Sequence, residues 1–161
     1  MSNKQVLIMS YTEEVDEYGT TRYYKDGELH RDGDKPAVIW LDGTVDYYKN
    51  GKYHRDGDEP AVIWLDGSKF YYKNGKRHRD GVKPAIIWSS GTVKYYKDGV
   101  QYTKEQVEKM EEIRTRILNR IAVRCVRYWY DETYRDTEGE AFKARMKRDM
   151  DYLENEIGYV F

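Results

Sequence analysis

Tyr47-Tyr48-Lys49-Asn50-Gly51 returns as Tyr71-Tyr72-Lys73-Asn74-Gly75 and, with aspartate in place of asparagine, as Tyr23-Tyr24-Lys25-Asp26-Gly27 and Tyr95-Tyr96-Lys97-Asp98-Gly99, each copy 24 residues after the last. A fixed period of this length belongs to stacked supersecondary units whose shared core appears only when neighbours pack. One full unit reads Pro60-Ala61-Val62-Ile63-Trp64-Leu65, Asp66-Gly67, Ser68-Lys69-Phe70-Tyr71-Tyr72-Lys73, Asn74-Gly75, Lys76-Arg77-His78. Asp-Gly and Asn-Gly between β-rich runs signal hairpins, because a type I′ turn needs positive φ at both central residues. Each unit is therefore expected to be a meander. Arg55 to Pro60 makes the longer connection, and Pro60 opens the next strand, where its missing N–H is tolerated.

A two-residue turn at Asp66-Gly67 would pair Leu65 with Ser68, Trp64 with Lys69, Ile63 with Phe70 and Val62 with Tyr71. Alternation along the strands then sorts the side chains onto two faces. One face collects Val38, Trp40, Val45, Tyr47, Val62, Trp64, Tyr71, Ile86, Trp88, Val93 and Tyr95 and makes the better core. The other collects Ala37, Ile39, Leu41, Tyr48, Ala61, Ile63, Leu65, Phe70, Tyr72, Ala85, Ile87 and Tyr96, interrupted by Thr44, Asp46, Ser68, Ser89, Thr92 and Lys94. Gly19 to Tyr24 matches Gly43 to Tyr48, so the N-terminus reads as a capping half-unit, with a strand from Gln5 to Tyr11 and an acidic loop from Thr12 to Tyr18.

The chain has 161 residues, 28 Lys plus Arg against 29 Asp plus Glu, 17 tyrosines and one cysteine. A net charge of −1 argues against a polyanion binder that works through bulk charge. The apolar run near the N-terminus is too short for a signal-peptide core, and no stretch approaches the roughly 20 apolar residues of a membrane span. The expectation is a cytoplasmic protein in a reducing compartment, with Cys125 a small buried hydrophobe on a helix.

His30, His54 and His78 fall opposite Tyr23, Tyr47 and Tyr71, one whole unit apart, which is too far for one coordination sphere. Asp32-Gly33-Asp34 and Asp56-Gly57-Asp58 lack the spaced oxygens and closing glutamate of a calcium loop, and the third copy is Asp80-Gly81-Val82. No phosphate loop, metal-ligand spacing or nucleophile elbow is present, and a base such as His54 with Asp56 has no nucleophile to serve. The reading carries no catalytic residue, no metal and no cofactor.

The frame Tyr-Tyr-Lys-Asn-Gly-Lys-x-His, followed by x-Asp-Gly-(Ser/Thr), resembles the MORN repeat, and more closely its divergent bacterial, viral and phage variants. The match runs from about Gly19 to Tyr102 and departs at His30-Arg31-Asp32-Gly33, His54-Arg55-Asp56-Gly57 and His78-Arg79-Asp80-Gly81, where the family has His-Gly-x-Gly. The resemblance implies an elongated antiparallel sheet of hairpins used for protein association, without catalysis. A viral or phage source, implied by the resemblance alone, would make it an inhibitor or sequestering protein in the host cytoplasm.

After Tyr102 the period changes. Thr103-Lys104-Glu105-Gln106 is a capping box, and Val107, Met110, Ile117, Leu118, Ile121, Cys125, Tyr128 and Trp129 share one helical arc opposite Arg116, Arg120, Arg124 and Arg127. Asp136 to Gly139 reads as a break, and Phe142, Met146, Met150, Leu153 and Ile157 as a second helix capped near Gly158. The fold class expected is α+β. Residues 1–102 form the repeat sheet, with a cap over 1–22, units from about 23, 47 and 71, and an end at 102; residues 103–161 form two helices packed on the sheet, the first laid across its tryptophan face and the second beside it or closing an end of the sheet.

One sheet face would then stay open, offering Tyr24, Ile39, Tyr48, Ile63, Tyr72, Ile87 and Tyr96 to a protein partner or to a second copy in a homodimer. The alternative is nucleic-acid binding by Arg116, Arg120, Arg124 and Arg127. Against it, residues 103–161 carry 12 basic and 13 acidic residues.

Overall fold

The computed structural model describes residues 10–130 and 132–155 of the chain. They fall into two compact units, Met1–Tyr102 and Thr103–Phe161. The first is antiparallel sheet: β1 (Tyr11–Val15), β2 (Thr21–Lys25), β3 (Glu28–Leu29), β4 (Val38–Ile39), β5 (Val45–Asp46), β6 (Tyr48–Lys49), β7 (Lys52–Tyr53), β8 (Val62–Ile63), β9 (Lys69–Phe70), β10 (Tyr72–Lys73), β11 (Lys76–Arg77), β12 (Ile86–Ile87), β13 (Val93–Lys97) and β14 (Val100–Tyr102). The main sheet runs β1-β2-β4-β5-β8-β9-β12-β13-β14 with β3 also on β2, while β6–β7 and β10–β11 are separate two-stranded sheets.

The tyrosine phrases build these side hairpins, and their turns are the type expected. Asn74 and Gly75 both take positive φ, 52° and 83°, as a two-residue type I′ turn requires. Successive side hairpins are tied by single backbone bonds: Gly51 N–H donates to Leu29 O at 3.0 Å, Gly75 N–H to Tyr53 O at 2.9 Å, and Gly99 N–H to Arg77 O at 2.9 Å.

The Asp-Gly turns differ from expectation. Trp64 N–H donates to Ser68 O and Gly67 N–H to Trp64 O, so the loop is Leu65-Asp66-Gly67, three residues long. Gly67 has φ 85° while Asp66 stays at negative φ, with its Oδ1 taking the Ser68 amide at 2.8 Å. This is a type I turn closed by a left-handed glycine, the common three-residue hairpin. The pairing is consequently Val62 with Phe70 and Ile63 with Lys69, one residue away from the expected register, and a one-residue slip moves a strand's side chains to opposite faces.

One cross-strand row is thus Arg22, Val38, Asp46, Val62, Phe70, Ile86 and Lys94, and the row behind it is Thr21, Ile39, Val45, Ile63, Lys69, Ile87 and Val93. From Val38 to Ile86 every member of the first row is buried, whereas the second is half-buried or exposed throughout. Phe70 therefore joins the tryptophan face, and Val45 and Val93 leave it. The N-terminal strand is also corrected: Tyr11 to Val15 pairs with Lys25 to Thr21, so Thr12 to Val15 is strand rather than loop. Of the expected Gln5 to Tyr11 strand, residues 5–9 lie outside the described residues.

The second unit holds α1 (Lys104–Tyr130) and α2 (Glu132–Asn155). The capping box forms in both directions: Gln106 N–H donates to Thr103 Oγ1 at 3.2 Å, and Thr103 N–H to Gln106 Oε1 at 2.8 Å. Val107, Ile117, Phe142 and Leu153 are buried, whereas Trp129, placed on the same arc, is 69 % exposed. The break at Asp136 to Gly139 is not there: α2 runs through it. A mid-helix glycine costs only about 1 kcal/mol relative to alanine, and Gly139 lies under the Tyr128 ring, 3.9 Å from where its Cβ would stand. Tyr128 stacks on Phe142 with centroids 4.4 Å apart. Ile157 and Gly158 lie outside the described residues.

Candidate functional site

The corrected register gathers Trp64, Phe70, Tyr72 and Trp88 on one face, while Tyr71, between Phe70 and Tyr72, turns to the other under Arg79. Phe70 is buried beneath two tryptophans, its ring centroid 4.6 Å from Trp64 and 6.2 Å from Trp88. Two residues further on, Tyr72 points the same way, and its ring stacks on Tyr53 at 5.0 Å, which in turn meets Tyr48 at 4.3 Å. Together Tyr53, Val62, Trp64, Phe70, Tyr72, Arg77, Ile86, Trp88, Lys94 and Tyr96 enclose a hollow of about 320 Å³. Its charge is positive: the Lys94 ammonium sits 5.3 Å from the Trp88 ring centroid and the Arg77 guanidinium 5.5 Å from that of Tyr96.

The seven expected partner-binding residues divide between two faces. Tyr48, Tyr72 and Tyr96 belong with the tryptophans, and Tyr24 holds the matching place opposite Leu29. Ile39, Ile63 and Ile87 are on the reverse side. Strand alternation put the tyrosines and isoleucines together only under the two-residue turn; the extra loop residue separates them.

Further along the same face, two strands short of Arg22, a carboxylate is buried. Asp46, 4 % exposed, accepts from Trp40 Nε1–H at 3.0 Å, and burial pushes its carboxyl above the usual range, opposed by that bond. Burial likewise raises the Tyr48 hydroxyl, with Tyr53 and then Asp46 adding to the effect. At 24-residue spacing Asp46 stands where Arg22, Phe70 and Lys94 stand in the other copies, which is the sequence signal that could have marked it.

The histidines are structural struts. Asn50 N–H donates to His30 Nδ1 at 3.2 Å, Asn74 N–H to His54 Nδ1 at 3.1 Å, and Asp98 N–H to His78 Nδ1 at 3.1 Å. Each Nε2 meets the aspartate two residues on, Asp32, Asp56 or Asp80, at 2.9 to 3.0 Å. At His30 and His78 the same Nδ1 also lies 2.8 Å from Asn50 Oδ1 and 2.9 Å from Asp98 Oδ1, so each of these rings is held at both nitrogens. Among the described residues no three His, Cys, Asp or Glu side chains converge as metal ligands.

The arginines of the His-Arg-Asp-Gly segments also tie copies together. Arg31, Arg55 and Arg79 stack on Tyr23, Tyr47 and Tyr71 at 3.5, 3.9 and 3.7 Å. Arg55 and Arg79 then reach back to Asp34 and Asp58 in two-pronged ion pairs. The Arg79 guanidinium, helped by Lys83, holds the Asp58 carboxyl down at about 2. The next rung would need an acid at 82 and an arginine at 103, and those positions are Val82 and Thr103.

On the helices the four arginines do not form one free face. Arg124 is bonded to Asp149 of α2, and Arg116 lies 3.9 Å from Glu112 one turn earlier. No helix in the described residues is long and apolar enough to cross a membrane. No family model, no curated protein and no solved structure matches the chain.

Proposed function

We propose that this chain is a MORN-like, non-catalytic scaffold that binds a peptide segment of a protein partner along its aromatic face. The observation that carries the reading is Trp64, which remains 47 % exposed beside a hollow walled by Tyr72 and Trp88 and floored by Phe70 and Ile86. Large rigid aromatics that are held in place and still open to a neighbour are the side chains that dominate protein interfaces, because they add contact area at little entropic cost. The hollow is sized for one or two side chains, and its Lys94 and Arg77 favour an acidic or carboxylate-bearing one. None of Ile39, Ile63 and Ile87 lines that hollow, and the pairing of Arg124 with Asp149 weighs against the helix as a phosphate-binding surface.

The test is selection of a displayed peptide library on the folded protein, followed by titration of enriched peptides against variants. Trp64→Ser and Tyr72→Ser should each weaken binding about tenfold or more, while Ile63→Ser on the reverse face leaves it unchanged. Loss of binding in Ile63→Ser with retention in Trp64→Ser would overturn the assignment.

A further inference from the structure

The aromatic face carries a second hollow, of about 480 Å³, with Trp64 as its shared wall. Trp40 is the other wall, and Asp42, Thr44 and Asp66 stand at the rim. Its lining holds two carboxylates and no basic side chain. Both indoles are open to solvent, 41 % exposed for Trp40 and 47 % for Trp64.

Beneath the Trp40 wall lies Asp46. It belongs to the row of side chains on this face, between Val38 and Val62, and is 4 % exposed. Among the described residues only the Trp40 indole N–H donates to it, at Oδ2; Oδ1 takes no hydrogen bond. A buried carboxylate ordinarily draws two or three donors or a cation. Of the nearest basic groups, Arg22 lies two strands away from Asp46 along the row; its guanidinium stands 5.8 Å from the Trp40 ring centroid and is neutralised by Asp16 at 2.7 Å. In the neighbouring copy the equivalent position is Phe70, which packs directly on Trp64; an aspartate here exchanges a packed ring for a carboxylate whose Oδ1 reaches solvent.

We infer that the Trp40–Trp64 hollow is a receptor for an arginine side chain of the bound partner, with the guanidinium against the indoles and Asp46, Asp42 and Asp66 supplying the counter-charge. Two features select this occupant. A guanidinium is planar and weakly hydrated, so it stacks on aromatic faces at smaller desolvation cost than an ammonium. The negative field at this hollow stands against the positive Lys94 and Arg77 at the adjoining one, so the two hollows give the face a direction: a partner segment lies with its basic residue toward Trp40 and its acidic or carboxylate end toward Trp88. The inference rests on the peptide-binding reading and adds chemistry and polarity to it.

The test follows the indole N–H signals of Trp40 and Trp64 by NMR while the protein is titrated with an acetylated, amidated Gly-Leu-Arg-Gly peptide. A matched peptide with citrulline, the same shape without charge, is the control. The arginine peptide should shift both signals saturably, the citrulline peptide should bind at least about tenfold more weakly, and Asp46→Asn, which keeps an acceptor for the Trp40 indole, should remove most of the difference between them. A rim variant, Asp42→Asn/Asp66→Asn, gives the same comparison should Asp46→Asn disturb the fold. Equal response to the two peptides, or movement of neither indole, overturns the inference. If library-selected peptides still depend on Trp64 and Tyr72 in that event, the peptide-binding reading stands and only the arginine receptor falls.

Discussion

Arg55 donates to Asp34, in the preceding copy of the phrase, from Nε at 2.7 Å and from Nη2 at 2.8 Å, while its plane covers the ring of Tyr47. Asp34 is largely exposed, so solvent screens the pair and its value lies in geometry and register. A double-mutant cycle on Arg55→Ala and Asp34→Ala should give a coupling of about 0.5–1 kcal/mol by denaturant unfolding. Arg55→Lys should lose most of it, since an ammonium offers neither the fork nor the flat stacking surface.

The same contacts set the response to acid. The folded-state value of Asp58 is held to about 2 by Arg79 and Lys83, and that of Asp32 to about 2 by the Tyr11 hydroxyl and His30. An unfolded aspartate titrates near 3.9, so these groups contribute their full stabilisation above roughly pH 4 and lose it as pH falls toward 2. Thermal unfolding followed across that window should show a falling midpoint, and Asp58→Asn should make the fall shallower.

Asp46 has the opposite sign. Its folded value is raised by burial, so the carboxylate is a liability above that value and costs nothing below the unfolded one. Asp46→Asn should raise the melting temperature at pH 7, with the gain vanishing near pH 3. A variant that is more stable yet a weaker arginine receptor would show stability given up for binding.

The register can be tested by contrast between neighbours. Phe70→Ala should cost about 3–5 kcal/mol because it empties the space under Trp64 and Trp88, whereas Lys69→Ala, on the reverse face and exposed, should change stability by less than about 0.5 kcal/mol.

Gly139 supplies a stabilising prediction. Its added Cβ would meet Tyr128 Cε2 at 3.9 Å, an ordinary contact, so Gly139→Ala should strengthen α2 by roughly 0.5–1 kcal/mol through helix propensity. Helix content on heating, read by circular dichroism, checks it.

The amino-acid sequence by itself determined the antiparallel sheet, the four tyrosine hairpins and the start of the helices. In those places the chemistry is local: Asn74-Gly75 takes up positive φ at both positions, and Thr103 and Gln106 cap each other across three residues. The tertiary structure decided which residues share a face. An Asp-Gly pair fits a two-residue turn or the tail of a three-residue one, and nothing in the dipeptide chooses between them. Packing chooses, because only the longer loop brings Phe70 opposite Val62 and Ile86 and buries its ring. That single added residue moves Tyr72 beside Trp64, sends Ile63 to the reverse side and leaves Asp46 beneath an indole, so the candidate site exists only in the folded sheet.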